Sequence, residues 1–479
     1  MNKRNGRELW EDIVELLNAS NRECVRSLRI ALFMLLQEPL NIPFLRQARQ
    51  LVVGAFSLIP KQKTAIPEAV TKKVLFCFAH RTASNMQNLL PVAREAHRRG
   101  LLGGIISSSD FSRELAEFDG QVPIATAAEL SSQLGFGGSQ IANEAFRAFQ
   151  EVVRMVSEYD QELGARCRSN AGAIIAEIIA SLRMERAFQV VLESWSPSCV
   201  VSTSDLWPLE YQLVHQASGR QIPSIVLQHG NLIYFYWPFK ASLMVLWGEQ
   251  SFNEMIAFGA PSARLKIGGM PASDTSFGSV MAARKHSDGE KPVCLILSHT
   301  HAQHLEPELY ASYKRFLSEL ISIAPFVQWK VKLHPSENRS FYDDLDPQIA
   351  AKVEFYPAST SLKDSLREAD VATTLYSTSG MEAMIMGRPV IVPIVSPRMT
   401  EPNLLPQIPG ALRVRTPQEF SRELKALVSS PDRRTRQLKS QTDVLNRCFA
   451  NQGRASSAIV DILEAQVNSD VLQPAYGGR

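Results

Sequence analysis

Short β-prone apolar runs alternate with helical stretches in two successive series along this chain, and that alternation limits the fold more than any other feature. The first series begins at KKVLFCFAH (72–80). It continues through LLGGIISSS (101–109), QVPIAT (121–126), SCVVSTSD (198–205), IPSIVLQHG (222–230) and ASLMVLWG (241–248). A polar stretch, AARKHSDGEK (282–291), follows. The alternation then restarts with PVCLILSHT (292–300), QWKVKLHP (328–335), VEFYP (353–357), ADVATTLYS (369–377) and RPVIVPIV (388–395). Strands separated by helical segments imply βαβ units and parallel sheets. Two series imply two Rossmann-like, doubly wound α/β domains, with ligands at the carboxyl ends of the strands and an active site in the cleft between them.

Length agrees, because 479 residues exceed what one ordinary core organises. The expected division is a helical extension and linker over 1–72, an N-terminal domain over 73–281, a C-terminal domain over 282–430 and a helical tail over 431–479. Residues 140–195 carry long helical periodicity, as in NEAFRAFQEVVRMVSEY. A formal charge of +3 gives no support for a nucleic-acid partner. Six scattered cysteines form no CxxC pair, so neither structural zinc nor a disulfide framework is expected. Cys77, Cys199 and Cys294 sit inside apolar runs, as small buried hydrophobes do.

The start, MNKRNGRELWED, lacks the apolar core of a secretion signal, and no run approaches a bilayer span. A cytoplasmic protein is expected. Residues 1–72 hold 11 Lys/Arg and 7 Asp/Glu, a balance of +4 against about −1 for the remainder. Arg22, Arg26 and Arg29 are spaced to share a helical face. Two readings follow: a helical cap on the main body, which is favoured, or a basic amphipathic contact with the inner face of the membrane.

The chemistry-bearing residues cluster at strand exits. In KVKLHPSE (330–337), period two puts Lys330, Lys332 and His334 on one side and Trp329, Val331 and Leu333 on the other. His334 and Lys332 then suit a phosphate. In LYSTSGMEAMIMGRPVI (375–391), Ser377, Thr378, Ser379 and Gly380 precede a helix, so hydroxyls and backbone N–H groups can hold a phosphate there. Glu382 falls in the first turn, placed to cap the helix or accept ribose hydroxyls.

LQHGN (227–231) follows an apolar strand. Its His229 is the expected general base, with Gln228 beside it as a substrate contact. Asp205, after VVSTS, is the rival base, although helix capping suits it better. His80 and Asn85 follow the first strand as candidate acceptor contacts. His299, His301 and His304 lack a recognised metal spacing, so no metal is expected.

Four blocks carry a resemblance: LQHGN (227–231), MVLWGEQSFNEMIAFGAPSARLKIGGMPASD (244–274), KVKLHP (330–335) and STSGMEAMIMGRPVIV (377–392). Together they resemble the GT-B glycosyltransferase superfamily, within it the bacterial capsule and surface polysaccharide transferases. These include relatives using CMP-activated sialic acid or Kdo, and the CDP-glycerol glycerophosphotransferases. The resemblance implies a metal- and cofactor-independent transferase taking a CMP-, CDP- or UDP-linked donor to a polysaccharide or lipid-linked acceptor. It implies nucleotide-phosphate contacts at His334, Ser377 and Thr378, ribose contact at Glu382, a base at His229, and phosphate contact or leaving-group protonation by the histidines at 299, 301 and 304, His299 first among them. The alternatives are a hydrolysing UDP-GlcNAc 2-epimerase-like enzyme and a non-catalytic nucleotide-sugar-binding subunit.

Overall fold

The computed structural model describes residues 6–29, 32, 73–79, 83–107, 111, 113–127, 129–130, 138–232, 234–275, 289–298, 307–334, 337, 339–343, 345–357, 359–400 and 407–468. Within them the apolar runs form two sheets. The first contains β1 (Val74–Phe78), β2 (Leu102–Ser107), β3 (Ile124–Thr126), β4 (Cys199–Ser202), β5 (Ser224–Leu227), β6 (Leu243–Leu246) and β7 (Leu265–Ile267), in the order β3-β2-β1-β4-β5-β6-β7. The second contains β8 (Val293–Leu297), β9 (Gln328–Lys332), β10 (Val353–Phe355), β11 (Val371–Thr373), β12 (Val390–Pro393) and β13 (Leu412–Val414), in the order β10-β9-β8-β11-β12-β13.

Every ladder is parallel. Strand order reverses between β1 and β4 and again between β8 and β11, so each sheet is doubly wound, as the alternation implied.

Helices cover both faces, which is why the central strands are apolar runs rather than alternating ones. On the first sheet, Phe76 and Phe78 pack with Val92 and Ala96 of helix Ala83–Arg98. On the opposite face, Leu75 and Cys77 meet Phe188, Val191 and Trp195 of helix Ala171–Trp195. Gly104 serves this packing, since an added Cβ would stand 2.5 Å from the Trp195 ring. Cys77, Cys199 and Cys294 lie buried in β1, β4 and β8, in keeping with small hydrophobes.

Two strands, β7 and β13, carry no sequence signal. Both are three-residue strands at sheet edges with mostly exposed or half-buried side chains, so neither needs an apolar run. The helical stretch 140–195 is divided among three helices, Gly138–Tyr159, Gln161–Ser169 and Ala171–Trp195. Asp160 accepts from the N–H groups of Glu162 and Leu163 and starts a new helix there.

Residues 6–29 are a cap on the first domain's helices. Trp10, Leu17, Val25 and Leu28 are buried against Ile141, Ala148 and Val152. The three arginines do not form one open basic face. Arg22 pairs with Glu151 at 3.0 Å and Arg26 with Glu23 at 2.5 Å, while Arg29 is buried and donates to the Pro238 carbonyl at 3.1 Å. Residues 33–72 of the expected helical extension and linker, and most of the polar stretch at 282–291, lie outside the described residues. Among the described residues no helix is long and apolar enough to cross a membrane.

The segment expected as a C-terminal tail is shared between the two sheets. Helix Pro431–Cys448 packs on the second domain, where Gln441 accepts from the Val390 N–H and donates to the Arg388 carbonyl. The chain then crosses back. Ala450 donates its N–H to the Trp247 carbonyl at 2.8 Å, and Asp274 accepts from the N–H groups of Ala455 and Ser456 at 2.7 and 2.8 Å, capping helix Ala455–Asn468. Ile459, Val460 and Leu463 of that helix join the first core.

At this crossing an added Cβ on Gly248 would stand 2.2 Å from the Cys448 carbonyl oxygen. No rotamer relieves a clash with backbone. Gly248→Ala is therefore expected to cost about 1–3 kcal/mol, read as a lower urea midpoint. An unchanged midpoint would show that the crossing tolerates separation.

Candidate functional site

Because all strands in each sheet run parallel, their exits share one edge, and the exits of the two sheets meet. The direct bridge is Asn231 in the loop after β5, whose Nδ2 donates to the Tyr376 carbonyl in the loop after β11 at 3.5 Å. Residues 228–231 are thereby set opposite residues 374–380. His334 leaves β9, and β9 and β11 flank β8, so its exit lies about 10 Å from that of Ser377 at the ordinary strand spacing.

His229 is half-buried at the cleft side of β5. Its Nε2 is 3.5 Å from Tyr236 Oη, and the two rings are tilted with centroids 5.9 Å apart. Burial raises the Tyr236 phenol, which stays protonated and able to donate to the imidazole. Tyr236 was not singled out in the sequence. It reaches His229 only because the segment between them turns back.

Gln228 is buried and committed to the fold. Its Oε1 accepts from the Trp247 N–H and its Nε2 donates to the Gly230 carbonyl, both at 2.9 Å. It shapes the His229 loop from the wall of the cleft, beside Asn231 and Trp247.

Asp205 is corrected on both counts. It is 2% exposed, and its Oδ2 accepts from the backbone N–H groups of Lys240 and Ala241. Helix Pro208–Gly219 is preceded by Trp207 without a side-chain cap. Asp205 therefore neither faces the cleft as a base nor caps that helix; it ties two loops together.

On the second sheet the strand reading holds. Trp329 and Val331 are buried, while Lys332 and His334 are half-buried. His334 is pushed below the ordinary imidazole value by burial, with Glu337 opposing and Lys332 reinforcing that shift. Burial also lowers the Lys332 ammonium. A bound phosphate would offset both shifts.

The loop after β11 differs from expectation in one respect. Its amides are used internally: Gly380 N–H donates to the Ser377 carbonyl at 2.9 Å and Met381 N–H to the Thr378 carbonyl at 2.9 Å. What it presents instead is hydroxyls, with Ser377 Oγ and Ser379 Oγ 2.6 Å apart and Thr378 between them. Gly380 is corrected from a phosphate contact to a packing residue, buried where an added Cβ would stand 2.9 Å from Thr374 Cγ2. Glu382 is half-buried in the first turn of helix Ser379–Ile385, and burial pushes its carboxyl up to about 7.

Asn85 is buried in helix Ala83–Arg98, just after β1. His80 and His299 lie outside the described residues.

No protein-family model matches the chain, and no curated protein matches it in sequence. Solved structures do resemble it. S. aureus MnaA with UDP aligns with TM-score 0.51 and 15% identity, over 83% of this chain and 97% of that one. UDP-GlcNAc 2-epimerase from Neisseria meningitidis bound to UDP-GlcNAc aligns with TM-score 0.50 and 16% identity, over 82% and 99%. Anabaena Alr3699/HepE in complex with UDP and glucose gives TM-score 0.50 and 12% identity, over 82% and 99%. The chain therefore has the GT-B-type architecture of two parallel doubly wound domains.

A carboxyl raised by folding keeps its proton in the native state after the unfolded chain has lost it. The stability linked to Glu382 is fully present below about pH 4.5 and is lost as pH rises through about 7. Glu382→Gln should raise the melting temperature relative to wild type above pH 7 and give no relative gain near pH 4.5, measured by calorimetry without ligand. A constant offset across that range would show that the carboxyl is not held neutral.

Proposed function

We propose that the chain binds a nucleotide-activated sugar between its two sheets and transfers the activated group to a hydroxyl of a polysaccharide or lipid-linked acceptor. The observation that carries this reading is the Asn231–Tyr376 contact, which sets the His229 loop opposite the Ser377–Ser379 hydroxyls. Lys332 and His334 meet the donor phosphate from the neighbouring strand exit, and Ser377, Thr378 and Ser379 donate to its oxygens. Glu382, in its ionised form, accepts from ribose hydroxyls.

On the facing loop, Tyr236 orients the His229 imidazole. His229 takes the proton of the acceptor hydroxyl as that oxygen attacks the donor, and the bond to the nucleotide breaks with its electron pair leaving on the phosphate. Lys332 and His334 stabilise the charge that develops there. The transferred group is a sugar or glycerophosphate. A role in surface polysaccharide synthesis at the inner face of the cell membrane belongs to this reading.

A second reading, hydrolytic 2-epimerisation of a UDP-sugar, is favoured by the likeness to the N. meningitidis enzyme. The two differ in product: an epimerised free sugar on one side, a conjugate of the acceptor on the other.

A thermal-shift panel of CMP, CDP, UDP, GDP and ADP tests the donor site. A nucleotide at a hundredfold excess over its Kd should stabilise the fold by about 2.7 kcal/mol. His334→Ala should abolish that shift. His229→Ala should keep it while lowering turnover by roughly 10²–10⁴-fold. No shift with any nucleotide would defeat the proposal, and full activity of His229→Ala would remove the base.

A further inference from the structure

The turn that brings Tyr236 to His229 is held from outside by the N-terminal cap. In the 3₁₀ turn Tyr234–Tyr236 the Trp237 N–H donates to the Tyr234 carbonyl at 3.2 Å. Residues three apart eclipse in such a turn. Tyr234 and Trp237 therefore share a side, where they line one groove with Trp10. Tyr236 projects on another side and reaches His229.

The cap grips the chain directly after Tyr236. Trp10 Nε1 donates to the Trp237 carbonyl at 2.9 Å, and Arg29 Nη1 donates to the Pro238 carbonyl at 3.1 Å. Lys240 Nζ pairs with Glu23 Oε2 at 3.4 Å. Glu23 and Arg29 are themselves fixed on helix Pro208–Gly219. Tyr211 Oη donates to Glu23 Oε2 at 2.9 Å, and the Arg29 guanidinium lies over the Tyr211 ring, 4.9 Å from its centroid. Asp205 holds the segment at Lys240 and Ala241, before it enters β6, and the cap holds the part next to Tyr236.

Trp10 and Arg29 are buried, at 1% and 3% exposure, so a carbonyl that loses either donor meets little water in its place. The backbone must then move to find another partner. At 3.5 Å the contact between Tyr236 Oη and His229 Nε2 is at the limit of hydrogen bonding, so a shift of a few tenths of an ångström decides whether it exists. On the reading of His229 as the base, we propose that Trp10 and Arg29 are positioning residues for it, holding the Trp237 and Pro238 carbonyls so that the Tyr236 hydroxyl stays against the imidazole. The bond made at one ring nitrogen sets which nitrogen carries the proton. Loss of a cap contact therefore changes the state of the His229 ring from a distance.

Nitrogen-15 NMR of the imidazole rings tests this on the full chain, with the His229 resonances identified by their loss in His229→Ala. The variants are Tyr236→Phe, Trp10→Phe, Arg29→Met, Arg22→Ala, and Tyr236→Phe paired with each of Trp10→Phe and Arg29→Met. Tyr236→Phe should move the His229 Nε2 resonance by changing the balance of tautomers. Trp10→Phe and Arg29→Met should each move it in the same direction, and neither should move it further in the Tyr236→Phe background. Arg22→Ala, which loosens the cap at Glu151 instead, should leave it in place. Urea midpoints taken in parallel show which variants fold, and Arg29→Met carries the test if Trp10→Phe does not.

A resonance unmoved by the cap variants, or moved equally with and without the Tyr236 hydroxyl, would overturn the proposal. So would an equal displacement in Arg22→Ala, which would mark general loosening of the cap. Full turnover of His229→Ala, with the resonances moving as expected, would instead defeat the reading of His229 as the base, and the role proposed for Trp10 and Arg29 with it.

Discussion

The site depends on the chain crossing from the second domain back to the first. Two parallel sheets do not by themselves face each other. Here the Cys448 carbonyl closes over Gly248, Ala450 bonds to Trp247, and Asp274 caps the returning helix so that Ile459 and Leu463 enter the first core. Each contact needs backbone at close range, which explains a glycine at 248 and a short polar side chain at 274. With the crossing held, the carboxyl edges of both sheets are brought together, and the Asn231–Tyr376 bridge spans them. A cleft held this way can close on a ligand without repacking either core, the usual behaviour of two-domain enzymes.

Across that cleft the two sides offer different chemistry. The second sheet presents hydroxyls and two basic side chains whose charged forms are disfavoured by burial, Lys332 and His334. Such a site gains most from an anionic ligand, because a phosphate restores the charge that desolvation opposes. The first sheet presents an imidazole with a phenol beside it, suited to moving a proton. The proposed group transfer divides its work in this way, with the anion held on one side and the proton moved on the other. The same division serves epimerisation of a nucleotide sugar, so product chemistry separates the two readings.

Some of this was legible from local pattern. Strand buried on both faces must be apolar, so the central runs declared themselves and the two-sheet plan followed. His334 at the end of an alternating strand and Ser377–Ser379 before a helix were readable because spacing of one or two residues fixes where they project. Asp205 was not readable. Its partners, the amides of Lys240 and Ala241, are about 35 residues away, and no local pattern distinguishes an aspartate that clamps a loop from one that caps a helix or acts as a base. The bonds of Gln228 were not readable for the same reason, since its amide is turned to Trp247.

The sequence alone determined that the chain forms parallel α/β sheets and that its candidate site residues follow strands, because period and polarity are local properties of the backbone and its side chains. It did not determine which exits meet. That His229 has Tyr236 beside it and that Asn231 reaches Tyr376 are consequences of packing. Burial was decided at the same level. The carboxyl of Glu382 is pushed up to about 7 because the assembled protein removes water from it, and no property of its sequence neighbours specifies that loss.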